Sequence, residues 1–521
     1  MNSNIKILII NCPQWGNSSK FVEAIRFPLG IAYIISVLKS KNANINFYNA
    51  NYLEYLGKYS DTHLLKNINI FNPDLIFIAG LFPKITNLIS ICKCCKRIRN
   101  EVPIICGGMT ATYLYESILK RQLADIIVIG EGERCVIEII DNAYDIYKNL
   151  QNIKGIAWLN DNNIIVKNEP QPFIENLDSL PFPDRSFFQY KRIFRKYYVV
   201  GSNGQYSATI QGSRGCFNKC AYCSSLFGKT VRIRSNENIL SEIFMLQRKY
   251  AIGYFHFVDE QFLGSKEDTI MNFCEQILSN DMRFSWSMTC SYNPLISKSL
   301  ILLLKRSGCK MVSIGVETVD KSYQNMFSKK VDLEIVRDIL QYSFKIRGPF
   351  IRANFIVGFP EEKLHGLYET YNYINSFNME TFSEPPMIGH IKIMPGSYLY
   401  NKFIKKNEQF DEFKYLYNLQ KGDYPLLIDG DKKTFLVELS KINCKINKKY
   451  LNAFKGPLKF LKRSYNISYR IMLNSPVKSL LSPIYNILYV AYKNIINKNN
   501  KFLLFISTLI ELIVFREKSN G

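Results

Sequence analysis

The sequence has no apolar stretch long enough to cross a bilayer. Its most apolar run, residues 502–515, has 14 residues and includes Glu511, whereas a spanning helix needs about 20. The apolar run around Ile7 ends at Pro13 and is too short for the core of a signal peptide. We therefore expect a first buried strand at the N-terminus. For residues 502–515 we expect either a buried or partner-binding helix or a helix on a membrane surface.

Cysteine is too sparse for a disulfide scaffold, with 13 residues in a chain of 521. Small secreted domains that depend on disulfides are much richer in cysteine. Several of the cysteines are clustered, which favours reduced, metal-binding thiols in a cytosolic protein. With 47% hydrophobic residues, the chain can form ordinary cores, and its length suits roughly two to four domains.

Acidic residues are in deficit, with 44 Asp and Glu against 67 Lys and Arg, a formal charge of +23. From Lys441 to the end there are 15 basic residues and two acidic ones, so +13 of the excess lies there. Such a balance predicts an acidic partner: an anionic small molecule, a lipid or an anionic membrane surface touched by residues 441–521. No basic groove-binding helix and no zinc finger are apparent, so we expect no nucleic-acid partner.

Three cysteines lie in one short loop between Gly212 and Cys223. Cys216, Cys220 and Cys223 are separated by three and then two residues, so their thiolates can converge on one face of a small inorganic cluster. A cluster of four irons needs four ligands, and the missing fourth would leave one iron open to a substrate or cofactor. The alternatives are a zinc site completed from elsewhere and three unrelated thiols. Zinc fingers pair their cysteines, and a second pair is missing here.

This loop resembles the signature of the radical S-adenosylmethionine (SAM) superfamily, Cys-x3-Cys-x2-Cys, with Tyr222 as the aromatic residue before the last cysteine. The resemblance implies a 4Fe-4S cluster on the three cysteines, which would be both metal ligands and catalytic residues. It also implies SAM bound at the open iron, with Tyr222 in the cofactor site. An electron donor such as flavodoxin or ferredoxin would reduce the cluster, which would cleave SAM to methionine and a 5′-deoxyadenosyl radical.

Residues 1–145 alternate short apolar runs with helical patterns, which predicts a doubly wound α/β sheet of parallel strands. Loops of small residues follow the strands, and in such sheets ligands lie at the carboxyl ends of the strands. Glycine there lets the backbone approach a ligand closely. The candidate strands are Lys6–Ile10, Ile45–Tyr48, Leu75–Ala79, Pro103–Cys106 and Asp125–Ile129.

The order of these loops is similar to that of the cobalamin-binding, Rossmann-like domain of one large branch of radical SAM enzymes. The matching pieces are Pro28 to Tyr33, Gly107-Gly108 and Gly130-Glu131-Gly132-Glu133. The resemblance implies that Gly107, Gly108, Gly130, Glu131 and Gly132 bind cobalamin. The Asp-x-His-x-x-Gly motif of the broader cobalamin-binding pattern is missing. His63 lies in a partial match, and we expect it to be a surface residue. Many members of this branch also lack that histidine.

Residues 146–205 are predicted to be a linker, which contains half of a hairpin and the extended Leu180-Pro181-Phe182-Pro183-Asp184. Residues 206–400 are predicted to form an incomplete (β/α)6 barrel, with strands beginning near Ser207, Gly253, Arg283, Lys310, Ile351 and Ile388. The cysteine loop would follow the first strand, at the barrel end where such enzymes place their chemistry. Residues 401–521 are predicted to be a helical C-terminal region.

Further candidates follow the later barrel strands. By resemblance, Asp259, Glu317 and the turn containing Gly358 and Pro360 would contact SAM. The turn departs from the family's Gly-x-Pro-Gly-Glu, because Glu361 stands in place of the second glycine.

Two other groups have competing interpretations. Arg232 and Arg234 would either pair with the SAM carboxylate or a cobalamin side chain, or lie on a solvated surface strand. Cys92, Cys94 and Cys95 lie in a helical pattern and do not share a face. We expect small buried thiols there, in preference to a second cluster.

The resemblance implies a cytosolic cobalamin-dependent radical SAM enzyme that methylates an unactivated carbon or a phosphinate of a small or lipid-like substrate. One SAM would methylate cobalamin, and a second would supply the radical that abstracts a substrate hydrogen. Three alternatives remain open. These are a radical SAM enzyme that catalyses a cyclisation or rearrangement, a radical SAM enzyme without cobalamin, and a non-enzymatic metal- and nucleotide-binding regulator.

Overall fold

The computed structural model describes residues 5–13, 27–55, 58–80, 85–98, 101–188, 205–326, 330–382, 386, 388–405, 410–421 and 428–453. The apolar run 502–515 and most of the basic C-terminal region lie outside these residues. Within the described part of the chain, no helix is both long and apolar enough to cross a membrane.

A seven-stranded sheet forms the N-terminal layer, with the strand order β2-β1-β3-β4-β5-β6-β7. The first five strands are parallel, as the sequence predicts, and β6 and β7 continue the sheet as an antiparallel hairpin. The predicted linker therefore begins later than residue 146, because the hairpin pairs with β5. The strands are Lys6–Asn11 (β1), Asn44–Tyr48 (β2), Leu75–Ala79 (β3), Ile104–Gly107 (β4), Ile126–Val128 (β5), Ile156–Leu159 (β6) and Ile165–Lys167 (β7).

Helices cover both faces of this sheet, which explains why the parallel strands are almost continuously apolar. In β1, for example, Ile7 to Ile10 are all buried, with alternate residues in the two cores on either side of the sheet. The helices are Leu29–Ser40 (α1), Ala50–Tyr55 (α2), Asp61–Phe71 (α3), Ile85–Ile98 (α4), Met109–Tyr113 (α5), Tyr115–Lys120 (α6), Glu133–Asp141 (α7) and Ile146–Asn149 (α8).

The linker segment from Leu180 to Asp184 has no helix or strand and packs on α1, as its prolines predict. The Ser36 hydroxyl donates to the Phe182 carbonyl oxygen over 2.6 Å, and the Asp184 amide donates to the Ala32 carbonyl oxygen over 3.0 Å. Arg185, the next residue, donates to the carbonyl oxygen of Thr209 in the second layer. The linker thus lies between α1 and the second layer.

The second layer is a six-stranded, wholly parallel sheet, which confirms the predicted incomplete barrel. Its strands are Tyr206–Ile210 (β8), Ile252–Phe257 (β11), Ser285–Cys290 (β12), Cys309–Glu317 (β13), Phe350–Val357 (β14) and Ile388–His390 (β15). A separate two-stranded ribbon, Ser213–Arg214 (β9) with Arg232–Ile233 (β10), flanks the cysteine loop. The barrel helices are Asn236–Tyr250 (α9), Glu267–Ser279 (α10), Lys298–Arg306 (α11), Lys321–Met326 (α12), Leu333–Lys345 (α13) and Leu364–Asn375 (α14).

Several barrel helices begin at a residue whose side chain accepts a backbone N–H of the first turn. Ser235 caps α9, Ser297 caps α11 and Asp332 caps α13. These residue types are favoured there because they satisfy donors that the helix itself leaves unpaired.

Two C-terminal helices follow a short π-helical turn, Tyr400–Ile404: Glu412–Lys421 (α15) and Lys432–Ala453 (α16). Helix α15 contacts the N-terminal layer, where the Ile85 amide donates to Gln420 Oε1 over 3.1 Å. Helix α16 covers the edge strand β15. The Asn443 side chain accepts from the Ile388 amide over 2.9 Å and donates to the Ile388 carbonyl oxygen over 3.0 Å. The Asn443 side-chain amide thus forms hydrogen bonds with backbone groups at the edge of the sheet.

We expect Asn443→Ala to lower the free energy of unfolding by about 1–3 kcal/mol, since it leaves two half-buried backbone groups of Ile388 without these partners. Lys448→Ala, at an exposed position of the same helix, should change stability by less than about 0.5 kcal/mol. Urea or thermal unfolding of both variants measures the difference. Equal effects of the two changes would show that the amide contacts at β15 do not stabilise the edge.

Candidate active site

The cysteine loop leaves the carboxyl end of β8, as predicted, and is held by backbone contacts to several elements. The Cys216 amide donates to the Gly228 carbonyl oxygen over 3.2 Å, and the Leu399 amide donates to the Ala221 carbonyl oxygen over 3.0 Å. Gly215 has φ +97°, and a Cβ there would lie 2.3 Å from the Thr230 carbonyl oxygen. The loop is therefore shaped by the chain around it, and Gly215 is required by both its conformation and its close contact.

The three thiols lie close enough to influence one another. Partial loss of hydration raises the pKa of Cys223 to about 11, with further increases from the negative charges of Cys220, Glu260 and Cys216. The three side chains would all be thiolates only with a positively charged partner beside them. Among the described residues, no group of three or more His, Cys, Asp or Glu side chains is arranged around a single metal ion.

Tyr222 joins the cysteine loop to the ends of two barrel strands. Burial raises the pKa of its hydroxyl, as do the negative charge of Glu317 and a hydrogen bond with Cys220. Its ring centroid lies 6.0 Å from that of Phe359. Phe359 is the residue between Gly358 and Pro360 in the turn after β14. The structure therefore brings together Tyr222, Glu317 and the Gly358–Pro360 turn, which the sequence predicts to contact SAM.

The turn after β14 is closed by a carboxylate that the prediction did not include. The backbone amides of Gly358 and Phe359 donate to Glu362 Oε2 over 2.5 and 2.9 Å. Glu362 is fully buried, and burial raises its pKa to about 7. The final Glu of the family's turn pattern was a signal that could have identified it. Glu362 therefore stabilises the conformation of the turn through these two backbone hydrogen bonds.

Two non-glycine residues at strand ends have left-handed backbone conformations, Glu317 with φ +68° and Glu361 with φ +64°. Such conformations cost a non-glycine residue about 1–2 kcal/mol and are often found at functional sites. At position 361 the family pattern has glycine, which adopts this conformation without strain. Glutamate at position 361 in place of glycine therefore adds conformational strain to the folded chain.

We expect Glu361→Gly to raise the free energy of unfolding by about 0.5–1 kcal/mol, because the relief of strain exceeds the extra entropy of glycine in the unfolded chain. Glu369→Gly is the matched control, since it places glycine inside α14 and should destabilise by about 1 kcal/mol. Chemical denaturation of both variants tests the sign. Destabilisation of similar size in both would contradict the proposed strain at Glu361.

Asp259, predicted to contact SAM, has its carboxylate directed toward the start of the cysteine loop. The Gly212 amide donates to Oδ1 over 2.8 Å, and Oδ2 lies 2.7 Å from the Ser213 hydroxyl. That hydroxyl also lies 2.9 Å from the Gln261 carbonyl oxygen. The Ser213 hydroxyl has one proton, which is shared between these two acceptors. Burial raises the pKa of Asp259 to about 7.

The neighbouring Glu260 points the other way and is the carboxylate nearer the cysteines. Its Oε2 accepts from the Ser225 hydroxyl over 2.9 Å, and its negative charge raises the pKa of Cys223. The predicted SAM contacts include Asp259 and not Glu260. Successive side chains of an extended segment point to opposite sides, so the pair could have been expected to divide in this way.

We expect Asp259→Asn to become more stable relative to the wild type as the pH rises from about 4 to 7. The pKa of this carboxyl is raised in the folded state, so the unfolded chain loses the proton first, near its ordinary pKa of about 3.9. Wild-type stability should therefore fall by about 1.4 kcal/mol per pH unit in this window and then level off. Asparagine can reproduce the hydrogen bonds of the protonated acid without titrating.

Urea unfolding of both proteins at several pH values measures this difference. Asp268→Asn, at an exposed position, is the control and should show no such trend. A stability difference between Asp259→Asn and the wild type that stays constant between pH 4 and 7 would contradict the protonated state.

The glycine loops of the N-terminal layer lie at the carboxyl edge of its sheet. Gly108 has φ +90°, and a Cβ there would lie 3.1 Å from the Gly80 carbonyl oxygen. Gly130 has φ +81°, and no described atom lies within 4 Å of a Cβ built there. A Cβ at Gly132 would lie 3.2 Å from Ile34, whereas one at Gly107 would make an ordinary contact with Val128. The open space beside Gly130 fits a bound group that approaches the backbone.

Glu131, predicted to bind cobalamin, has its carboxylate fully occupied by protein donors. Arg214 donates to Oε1 over 2.9 Å, Arg232 donates to both oxygens over 2.9 Å, and the Ile174 amide donates to Oε2 over 2.9 Å. Four hydrogen bonds fill the acceptor capacity of a carboxylate. Only the backbone of Glu131 is left to face a cofactor.

Neither interpretation of Arg232 and Arg234 agrees with the structure. Both are buried: Arg232 pairs with Glu131, and Arg234 pairs with Glu242 over 2.7 Å. Removing one partner of a buried ion pair typically costs about 3–5 kcal/mol, because the other charge is left unpaired. These arginines hold structural elements together, and the sequence could not show their distant carboxylate partners.

The two layers also meet directly beside the cysteines. The Tyr113 hydroxyl of α5 donates to the Ser225 carbonyl oxygen over 2.8 Å. A Cβ at Gly396, which has φ +88°, would lie 2.3 Å from the Tyr113 ring. The Ser224 hydroxyl donates to the carbonyl oxygen of Pro395 over 2.8 Å. The loop that follows β4 therefore contacts the cysteine loop and the Pro395-Gly396 turn.

Two remaining expectations concern residues outside this site. Cys92, Cys94 and Cys95 are buried, as predicted; burial and a hydrogen bond with Cys106 raise the pKa of Cys92. His63 is exposed, as predicted, with Nδ1 lying 2.9 Å from the Tyr48 hydroxyl.

Comparison with known proteins assigns both layers. The Radical SAM superfamily pattern matches residues 210–374, and the B12 binding domain pattern matches residues 22–140. An uncharacterized methyltransferase of Pyrococcus horikoshii, PH0819, is 25% identical over 382 residues, which are 72% of this chain and 79% of that protein. The anaerobic magnesium-protoporphyrin IX monomethyl ester cyclase of Rubrivivax gelatinosus is 25% identical over 397 residues, 74% of this chain and 68% of that enzyme.

A solved structure has the same architecture. The cobalamin-dependent SAM radical enzyme OxsB, with aqua-cobalamin and SAM bound, aligns with a TM-score of 0.68 at 15% identity. The alignment covers 99% of this chain and 80% of that one. At this identity the likeness shows a shared fold.

Proposed function

Because the chain belongs to the cobalamin-dependent radical SAM family, we propose that it is a methyltransferase whose 4Fe-4S cluster is bound by Cys216, Cys220 and Cys223. The observation that supports this most strongly is the position of the three thiols, at the carboxyl end of the barrel's first strand. There they adjoin Tyr222 and face a loop of the N-terminal layer. A radical formed at this end of the barrel would lie near both layers.

SAM is assigned to the space between the cysteine loop and the ends of β13 and β14. The Glu317 carboxylate suits the amino group or ribose hydroxyls of SAM, and the Gly358–Pro360 turn presents backbone at close range. Tyr222 orients Cys220 through their hydrogen bond. Asp259 acts indirectly, since it holds Gly212 and Ser213 at the base of the loop.

Cobalamin is assigned to the carboxyl edge of the N-terminal sheet, against Gly107, Gly108, Gly130, Gly132 and the backbone of Glu131. When bound, the cluster supplies the electron that cleaves SAM and cobalamin supplies a carrier for the methyl group. The chain's own contribution is to bring these two binding edges together and to keep bulky side chains away from the glycine loops. Because His63 is exposed and bonded to Tyr48, it is not assigned as a lower axial ligand.

The substrate is assigned as a small or lipid-like molecule, anionic in view of the net charge of +23. A flavodoxin or ferredoxin is proposed as the electron donor, since reductive cleavage of SAM needs one electron from outside. The proposed location is the cytosol, with contact to an anionic membrane through residues 441–521 as an alternative.

Cyclisation is the second candidate reaction, and the similarity to the Rubrivivax cyclase favours it. SAM with a deuterated methyl group distinguishes the two reactions once a substrate has been found by mass spectrometry of co-purified ligands. A methyltransferase transfers the labelled methyl group to product. A cyclase forms 5′-deoxyadenosine and leaves the product without the deuterium label.

We expect Cys216→Ala, Cys220→Ala and Cys223→Ala each to abolish 5′-deoxyadenosine formation while cobalamin stays bound, because each removes a cluster ligand from the barrel and leaves the N-terminal layer intact. Anaerobic assays with dithionite, together with the absorption of bound cobalamin, measure both quantities. Cys444→Ala, which removes an exposed thiol on α16, should leave both unchanged.

SAM cleavage retained by any of the three variants would refute the cluster assignment. Normal cleavage by the wild type without cobalamin binding would refute the methyltransferase and leave a radical SAM enzyme of another kind.

A further inference from the structure

Arg214 connects the two proposed cofactor loops through buried ion pairs. It lies two residues before Cys216, at the end of β9, and is 3% exposed. Its Nη1 donates to Glu131 over 2.9 Å and its Nη2 to Glu133 over 2.7 Å. Glu131 belongs to the glycine loop after β5, and Glu133 is the first residue of α7, which follows that loop. One guanidinium thus joins the base of the cysteine loop to the loop assigned to cobalamin.

The surroundings of Arg214 restrict its movement. Its Nε donates to Gln211 Oε1 over 2.9 Å, and the guanidinium carbon lies 5.2 Å from the ring centroids of both Tyr33 and Phe227. Tyr33 belongs to α1 of the N-terminal layer, whereas Phe227 follows the cysteine loop. Arg214 is therefore packed between the layers, and its planar fork has little freedom to reorient.

The charges around Arg214 balance. Arg214 and Arg232 face Glu131 and Glu133, all four side chains being buried. If either loop moved away from the other, buried charges would lose their partners, which is strongly unfavourable. The two loops are therefore expected to move together.

We propose that Arg214 is a positioning residue that makes the order of the cluster-binding loop depend on occupancy of the cobalamin loop at Gly130–Gly132. A group bound against Gly130 and Gly132 restrains the backbone of Glu131 and the start of α7 at Glu133. That restraint passes through the two ion pairs to the segment that begins at Ser213. The inference rests on the proposed cobalamin site and adds a mechanical link from it to the cluster.

Hydrogen exchange of the full-length, cluster-loaded protein measures this link without any catalytic turnover. In the wild type, saturating hydroxocobalamin should slow exchange in residues 126–134, where it binds. It should also slow exchange in residues 212–223 by at least about fivefold, within the usual range of coupling between sites. The measurement is made without SAM, so that SAM itself does not order the cysteine loop.

The double variant Arg214→Met with Glu133→Gln removes both ion pairs of Arg214. Arg232 on the neighbouring strand β10 stays paired with Glu131, so no buried charge is left unpaired. We expect hydroxocobalamin still to slow exchange in residues 126–134 but to change it by less than about twofold in residues 212–223. Lys96→Met with Asp125→Asn is the control. It also removes one ion pair of the N-terminal layer, 3.0 Å long and beside β5, and should keep the effect in both segments.

The outcomes separate this inference from the proposed function. Absence of slowing in residues 126–134 of the wild type would refute the cobalamin site itself. Slowing there but not in residues 212–223, or an unchanged effect in the double variant, would overturn the role of Arg214 alone. If the double variant does not take up the cluster, Arg214→Lys serves instead. As a point charge it cannot bond both carboxylates in the same way, and a fully retained effect would likewise overturn the inference.

Discussion

Buried ion pairs between the two layers are the constraint on which the rest of the site depends. Two arginines of the ribbon around the cysteine loop, Arg214 and Arg232, bind two glutamates of the N-terminal layer. Glu131 lies in the loop after β5, and Glu133 begins α7. The two arginines would be unstable in the protein interior without the two glutamates, and the glutamates would be unstable there without the arginines. Folding of the barrel and docking of the N-terminal layer are thereby linked, and the carboxyl edges of the two sheets are held beside each other.

The proposed methyl transfer needs this proximity, because a radical generated at the barrel would have to meet a methyl carrier bound to the other layer. The direct contact of Tyr113 with the Ser225 carbonyl oxygen places the loop after β4 against the end of the cysteine loop. The thiols themselves lie near negatively charged neighbours, including Glu260. Such a site is unfavourable for three thiolates alone and becomes favourable when a cationic cluster neutralises them.

Much of the architecture could be predicted from the sequence, because parallel strands buried on both faces are nearly continuous apolar runs with loops at regular spacing. All five predicted N-terminal strands and all six barrel strands are present. The cysteine spacing and the glycine loops likewise reflect local requirements that a short pattern preserves. Even the departure at Glu361 can be interpreted, since its φ of +64° is the conformation for which the family uses glycine.

The misjudged features depend on contacts between residues far apart in the chain. Glu131 was predicted to bind cobalamin, and Arg232 either to pair with a cofactor or to lie on a solvated surface strand. The two side chains bind each other across 101 positions. The hairpin of β6 and β7 was assigned to a linker, since its pairing with β5 is a property of the folded sheet.

Metal and cofactor analysis of the anaerobically reconstituted protein measures whether both proposed cofactors bind. We expect about four irons and four sulfides, as one 4Fe-4S cluster requires, together with about one cobalamin per chain. Zinc in place of iron would contradict the entire assignment of the cysteine loop. A complete cluster without cobalamin would contradict the assignment of the N-terminal layer and the methyl transfer that depends on it.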